Sequence, residues 1–166
     1  MAAVLIRWLT FIHVLSALTF YMAHGTSVAM AFKLRKESDF ARIRALLDLS
    51  WSTMIVMGVS FMIMGLTGII LPFMIHIWNK VWIWASIVLI LFVFFYMTMF
   101  NETHYKQLRR LVGLPYMIRN KEMPAEPPSN PEEVTALLNK TNITGLVVAG
   151  YVVPAIVLWL MVFKPF

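Results

Sequence analysis

An all-α membrane protein, a bundle of four transmembrane helices, is the fold the sequence predicts, and three observations predict it. Sixty per cent of the residues are hydrophobic and 13% are charged, against roughly 45–50% and about 25% in a soluble domain, and the mean hydropathy is +0.77. Four apolar stretches, 4–32, 53–75, 81–100 and 143–163, reach the about 20 residues needed to cross a bilayer as a helix. The basic residues gather at the ends of those stretches on one side. Hydrocarbon offers the backbone no hydrogen-bond partners, so runs of this length must become helices. With 166 residues the chain has room for one integral domain.

The first stretch begins at Val4 and stops abruptly at Lys33. A cleavable signal peptide would have an apolar core of about 7–15 residues followed by a small-residue cleavage site. This stretch is longer and runs through Phe20-Tyr21-Met22 without such a site, so it is expected to be a retained first span. After it, Ser38 or Asp39 can cap a short helix over 40–49. Its apolar face (Phe40, Ile43, Leu46, Leu47) predicts an interfacial helix on the inner leaflet. The second and third spans are joined only by His76-Ile77-Trp78-Asn79-Lys80, which makes them an antiparallel hairpin.

Beyond the third span a helical pattern continues to Val112, with Tyr105, Leu108 and Leu111 on one side, and Gly113-Leu114-Pro115 should end it. The segment 120–131 is proline-rich and expected to be a mobile loop. Asn130-Pro131-Glu132-Glu133 then reads as a helix start, with a cap, a proline in the first position and acids in the first turn. Asn139 and Asn142 fit glycosylation acceptor patterns, but beside a span on the inner side these read as chance matches.

Charge assigns the sides. Eleven of the fourteen Lys and Arg residues lie after the first span or between the third and fourth, leaving Arg7, Lys80 and Lys164 for the other side. The positive-inside rule therefore places the chain in the inner (plasma) membrane with both termini outside the cytoplasm. All six tryptophans fall toward span ends, as an interfacial belt requires. The net charge of +6 is thus a topology signal, and no basic patch interleaved with aromatics points to nucleic acid. The absence of cysteine excludes disulfides, thiolate metal sites and cysteine nucleophiles.

Chemistry concentrates on the first span. His13 and His24 are eleven residues apart, three turns, so they share a face about 16 Å apart along the axis. Thr10, Ser16, Ala17, Phe20, Ser27 and Ala31 lie near the same direction, and such a stripe faces a bundle interior. One reading makes each histidine a neutral, hydrogen-bonded packing residue. The other takes an intramembrane ionisable group as the mark of a cofactor, ion or proton site.

A b-type haem needs axial ligands from two helices. His13 with His76, reaching about two turns inward, is the candidate pair, and His24 with His104 matches less well in depth. Copper(I) accepts thioether and imidazole, and His13, His24, Met54 and Met57 are the candidate ligands, although methionine is also a flexible core filler. Gly58, Gly65, Gly68 and Pro72 share one broad face of the second span, where a helix can approach closely; the polar face of the first span is the expected partner. No acidic residue lies inside a span, and no hydrolase, zinc-protease or phosphate-loop motif is present, which argues against hydrolytic chemistry and an ion-coupled transporter.

The run His13-Val14-Leu15-Ser16-Ala17, with His24-Gly25 and a basic inner end, resembles a bacterial family of predicted integral-membrane proteins of unknown function, allied to the copper-resistance D membrane proteins. The resemblance covers about the first third of the chain. It implies a helical membrane bundle and, by association, copper handling or a redox cofactor. Three function classes follow. The first is a non-catalytic multi-pass protein, an accessory or subunit of a membrane complex (a redox complex included), with other membrane subunits or further copies of itself as partners. The second is a haem-binding redox protein, and the third a copper-handling protein. The first is preferred because every feature has an adequate packing explanation.

Overall fold

The computed structural model describes residues 1–100, 104–118 and 121–165. Four helices in it are long and apolar enough to cross a membrane. The first, α1 (Ala2–Leu34), is 33 residues long, about 50 Å at 1.5 Å per residue, so it outruns the roughly 30 Å hydrocarbon core. The exposed threonine hydroxyls of Thr10, Thr19 and Thr26 bond back into their own helix, as when Thr19 Oγ1 donates to the Leu15 carbonyl at 2.9 Å. That removes most of the cost of a polar group facing lipid.

The second helix, α2, runs unbroken over Phe40–Ile75. The helix expected over 40–49 exists and starts where predicted, with Asp39 Oδ1 accepting the Ala41 N–H at 2.8 Å. It is the opening of α2 and not a separate element. The polar stretch Ser50–Thr53 does not interrupt the helix, because Ser52 and Thr53 donate to the carbonyls of Leu49 and Ser50, both at 2.7 Å. The apolar face of that opening packs on protein, with Ile43 and Leu47 buried against other parts of the chain. Pro72 sits in the last turns of α2, and the helix stops at Ile75.

The third helix, α3, covers Val81–Phe100. The continuation expected past it falls partly on residues 101–103, outside the described residues; beyond them lies α4 (Lys106–Leu111). Gly113 ends it as expected, at φ +73°, with the Leu114 N–H returning to the Arg109 carbonyl at 2.9 Å. A two-stranded hairpin follows, β1 (Tyr116–Ile118) and β2 (Lys121–Met123), pairing Tyr116 with Met123. Part of the expected mobile loop is thus strand. The proline segment beyond it is tied back by Glu126, which accepts from Arg110 Nε at 3.0 Å and from the Tyr116 hydroxyl. The Ser129 N–H also donates to the Leu111 carbonyl at 2.8 Å. Asn130 caps α5 (Pro131–Asn139), accepting from the Glu132 N–H at 3.2 Å.

The fourth span is made of α6 (Ile143–Val147), a π-helical turn over Val148–Val152, and α7 (Val153–Phe163). Asn142, one of the acceptor-pattern asparagines, caps it through the Gly145 N–H at 3.0 Å. In the bundle α1 lies along α2, α3 lies along α7, and the π turn touches α1 and α3. The expected hairpin partners α2 and α3 meet through stacked Phe61 and Phe94, 5.0 Å apart.

At the end where the basic loops gather, the tips of α1 and α2 join α4 and α5 in a separate core of Leu34, Ile43, Leu47, Leu108, Val112, Val134 and Leu138. At the opposite end Trp82, Ile83 and Leu160 pack together. Trp82 is therefore core and not belt.

Candidate functional site

Both intramembrane histidines are built into helix contacts. His13 Nδ1 lies 3.1 Å from the Met64 carbonyl and 3.0 Å from Thr67 Oγ1, both on α2. A carbonyl can only accept, so Nδ1 carries the proton. Thr67 can accept as well, since its own hydroxyl donates to the Ile63 carbonyl at 2.7 Å. The ring reaches α2 because Gly68 has no side chain: a Cβ there would sit 3.1 Å from His13 Cε1. The expected close approach of the second span to the polar face of the first therefore holds at Gly68. It does not hold at Gly58 or Gly65, where a Cβ would meet nothing within 4 Å.

His24 is 2% exposed, and its ring stacks on Phe20 at 5.6 Å. Its Nε2 donates to the Ala149 carbonyl of the π turn at 3.3 Å. That carbonyl needs a donor for a local reason. The Val153 N–H, its ordinary α-helical partner, bonds instead to the Val148 carbonyl. The next residue is Pro154, which has no N–H to give. Ala149 thus has no donor from the following turn, deep in an apolar environment where an unpaired carbonyl is costly. His24 supplies the missing proton. Close packing makes this possible, since a Cβ on Gly150 would lie 2.8 Å from Val28.

His24 also lines a cavity of about 40 Å³ among α1, α2, α3, Tyr105 and α6. Met54 and Met57 line it too, as do Met97, Ser27 and Ser50. The Ser27 and Ser50 hydroxyls are 3.3 Å apart, and the Tyr105 hydroxyl donates to the Ser27 carbonyl at 3.2 Å. Burial raises the Tyr105 pKa, so this phenol stays protonated.

The predicted ligand residues therefore separate into groups. His24, Met54 and Met57 come together. His13 stands apart from them in its own notch. His76 joins neither: it is exposed, ends α2 in the left-handed conformation at φ 54°, and lies about 14 Å beyond Thr67 along the helix at 1.5 Å per residue. His104 lines a second cavity, separated from that of His24 by Ala31, Phe100 and Tyr105, which wall both. Pockets for drug-sized molecules already run to about 300–1,000 Å³. These residues do not fit a haem held within one chain.

No family model, curated protein or solved structure matches this chain. The reading of the site therefore rests on its own geometry.

Sequence reasoning missed the residue that organises the basic end. Arg109, only 7% exposed, donates through Nε to the Pro115 carbonyl at 2.8 Å. Its Nη1 reaches the Leu47 carbonyl at 3.3 Å and Asp48 Oδ1 at 2.9 Å, and its guanidinium lies 5.1 Å from the Trp51 ring. Arg44 reciprocates from α2, donating to the Val112 carbonyl at 2.6 Å. In sequence both arginines looked like ordinary topology charges. Among the described residues no three His, Cys, Asp or Glu side chains form a metal-binding group.

Proposed function

We propose that this chain is a non-catalytic membrane subunit, an accessory or assembly component of a larger membrane complex, seated in the inner (plasma) membrane with both termini outside the cytoplasm. The observation that carries the reading is the open glycine face of α2. Gly58 and Gly65 are two turns apart on one side of the helix, with nothing within 4 Å of where a side chain would begin. Around them Ile55, Met62 and Leu66 stand exposed at 72%, 58% and 57%. Small residues between larger ones let a second helix approach closely in a bilayer, where association depends on packing and not on the hydrophobic effect.

The histidines support the same reading, because each directs a ring N–H to a backbone carbonyl of a neighbouring helix. The basic end, holding Lys33, Arg35, Arg42, Arg44, Arg109 and Arg110, supports the orientation.

The test compares wild type with a Gly58→Leu, Gly65→Leu double variant in mild detergent by native mass measurement and cross-linking. Wild type is expected to run well above the 19.1 kDa of one chain, and the variant to lose that assembly while keeping its helical circular dichroism. A wild type that runs as a single chain, or a variant that assembles equally well, overturns the proposal. So does a haem absorption band that disappears in His13→Ala.

A further inference from the structure

We infer that the cavity beside Ser27, Ser50 and Tyr105 holds water and is the inner end of a one-sided water path, leading from the basic end of the bundle to His24. Two serines give the first reason. Ser16, Ser52, Ser60 and Ser86 each donate to a carbonyl of their own helix, which hides a hydroxyl from an apolar surrounding. Ser27 and Ser50 instead turn their hydroxyls toward each other across α1 and α2, 3.3 Å apart. The Tyr105 hydroxyl joins them, donating to the Ser27 carbonyl at 3.2 Å. All three residues line one cavity, although Ser27 lies about 9 Å along α1 from Lys33, inside the apolar stretch.

A buried water needs two to four polar partners and a space of about 10–15 Å³. The hydroxyls supply the partners, and the volume of about 40 Å³ takes about two or three waters. A second cavity of about 20 Å³ has room for about one more. Its lining includes Leu34, Leu108 and Leu138 from the core of the basic end, and Thr141, which is partly exposed there. Ala31, Phe100 and Tyr105 wall both cavities. Tyr105 brings the only polar side chain to that wall, so its ring is the partition whose movement joins the two spaces.

The far side of His24 is closed. Phe20 stacks on His24 at 5.6 Å and meets Phe61 at 5.5 Å, and Phe61 stacks on Phe94 at 5.0 Å. These rings come from α1, α2 and α3 and form an apolar layer about one turn beyond His24. Such a constriction excludes water. His13 and Ser16 precede Phe20 on α1 and lie beyond the layer. The result is a half-channel that brings water, and with it protons, to His24 from one side only. It is independent of the glycine face and of which compartment the basic end occupies.

The test exploits the absence of cysteine from the chain. Single cysteines are introduced into the full chain in oriented vesicles and treated with a small, cationic, membrane-impermeant thiosulfonate. Arg42→Cys, at a position 73% exposed, marks the basic side, and Lys80→Cys, also exposed, marks the other. From the basic side, Ser27→Cys and Ser50→Cys should react about tenfold or more faster than Ser16→Cys and Ser60→Cys, because the reactive thiolate forms only where water reaches. Ser16 and Ser60 are as buried but line neither cavity. Adding Tyr105→Ala should speed the reaction severalfold, and Tyr105→Phe, which keeps the ring, should not.

The native chain supplies a measurement without substitution. Hydroxyl radicals generated from bound water by brief X-ray irradiation should oxidise Met54, Met57 and Tyr105 and spare Met64, which is buried and lines neither cavity. Met54 and Met57 as protected as Met64, the signature of a dry cavity, overturns the inference. So do equal rates at the four serine positions, reaction from the side that labels Lys80→Cys, or a Tyr105→Ala variant that leaves the rates unchanged.

Discussion

The interaction between His24 and Ala149 sets the clearest expectation for a single residue. An unsatisfied buried carbonyl costs about 1–3 kcal/mol, although hydrogen bonds measured inside membranes average only about 0.6 kcal/mol. His24→Ala should therefore lower stability by about 1–2 kcal/mol, read from thermal or denaturant unfolding in detergent. The decisive measurement is a double-mutant cycle. Pro154→Ala restores an N–H to the π turn, so His24→Ala should cost less than half as much in that background; strictly additive costs would refute the account. His13 gives a companion case. Gly68→Val places bulk against the imidazole and should cost about 1–3 kcal/mol, the usual penalty for overfilling a packed site, whereas Gly65→Val, facing open space, should cost far less.

For the helices and their connections, the basic end is where sequence and structure part most. The start of α2 at Asp39, the stop of α4 at Gly113 and the cap of α5 at Asn130 were all legible, because capping and chain reversal depend on a few neighbouring residues. The continuity of α2 was not, because Ser50–Thr53 looks like a linker until its back-bonded hydroxyls are seen. The role of Arg109 was invisible for another reason: its acceptors, Leu47, Asp48 and Pro115, lie up to 62 positions away. Replacing Arg109 by Met should cost about 1.5–3 kcal/mol, the range for hydrogen bonds to a charged group, and should speed tryptic cleavage at Lys121. Lysine should not rescue it, since a point charge cannot serve acceptors spread around a planar fork.

The hairpin carries its own pH signature. Hydrogen bonds from Tyr116, then from Arg110, hold the Glu126 carboxyl below its ordinary pKa of 4.5. The folded form thus favours the ionised group, and that stabilisation is complete above about pH 4.5 and is lost as pH falls through the lowered value. The protection factor of the Ser129 amide, its exchange rate measured against the intrinsic rate at the same pH, should fall on acidification in wild type and show no such step in Glu126→Gln.

For the whole molecule, the four spans were legible because hydropathy and length are nearly sufficient to identify a membrane helix. How they associate was not. Periodicity placed His13 and His24 on one face correctly, yet could not say that they serve different neighbours, α2 and the fourth span. Nor could it say that Met54 and Met57 belong with His24 and not with His13. Both depend on depth and helix order, which no local pattern encodes. The proposed orientation has a direct test: a periplasm-dependent reporter fused to the C-terminus should be active, and activity only of a cytoplasm-dependent reporter would reverse the assignment.

The π turn has a consequence for biogenesis. The span that holds Ala149 carries a backbone carbonyl that its own following turn does not satisfy, while the remedy, His24, lies 125 positions earlier in the chain. Alone in lipid, that span is an incomplete solute. It becomes a complete one only against α1, so insertion of the isolated span should be less favourable than its insertion with α1 present, a difference that His24→Ala should erase.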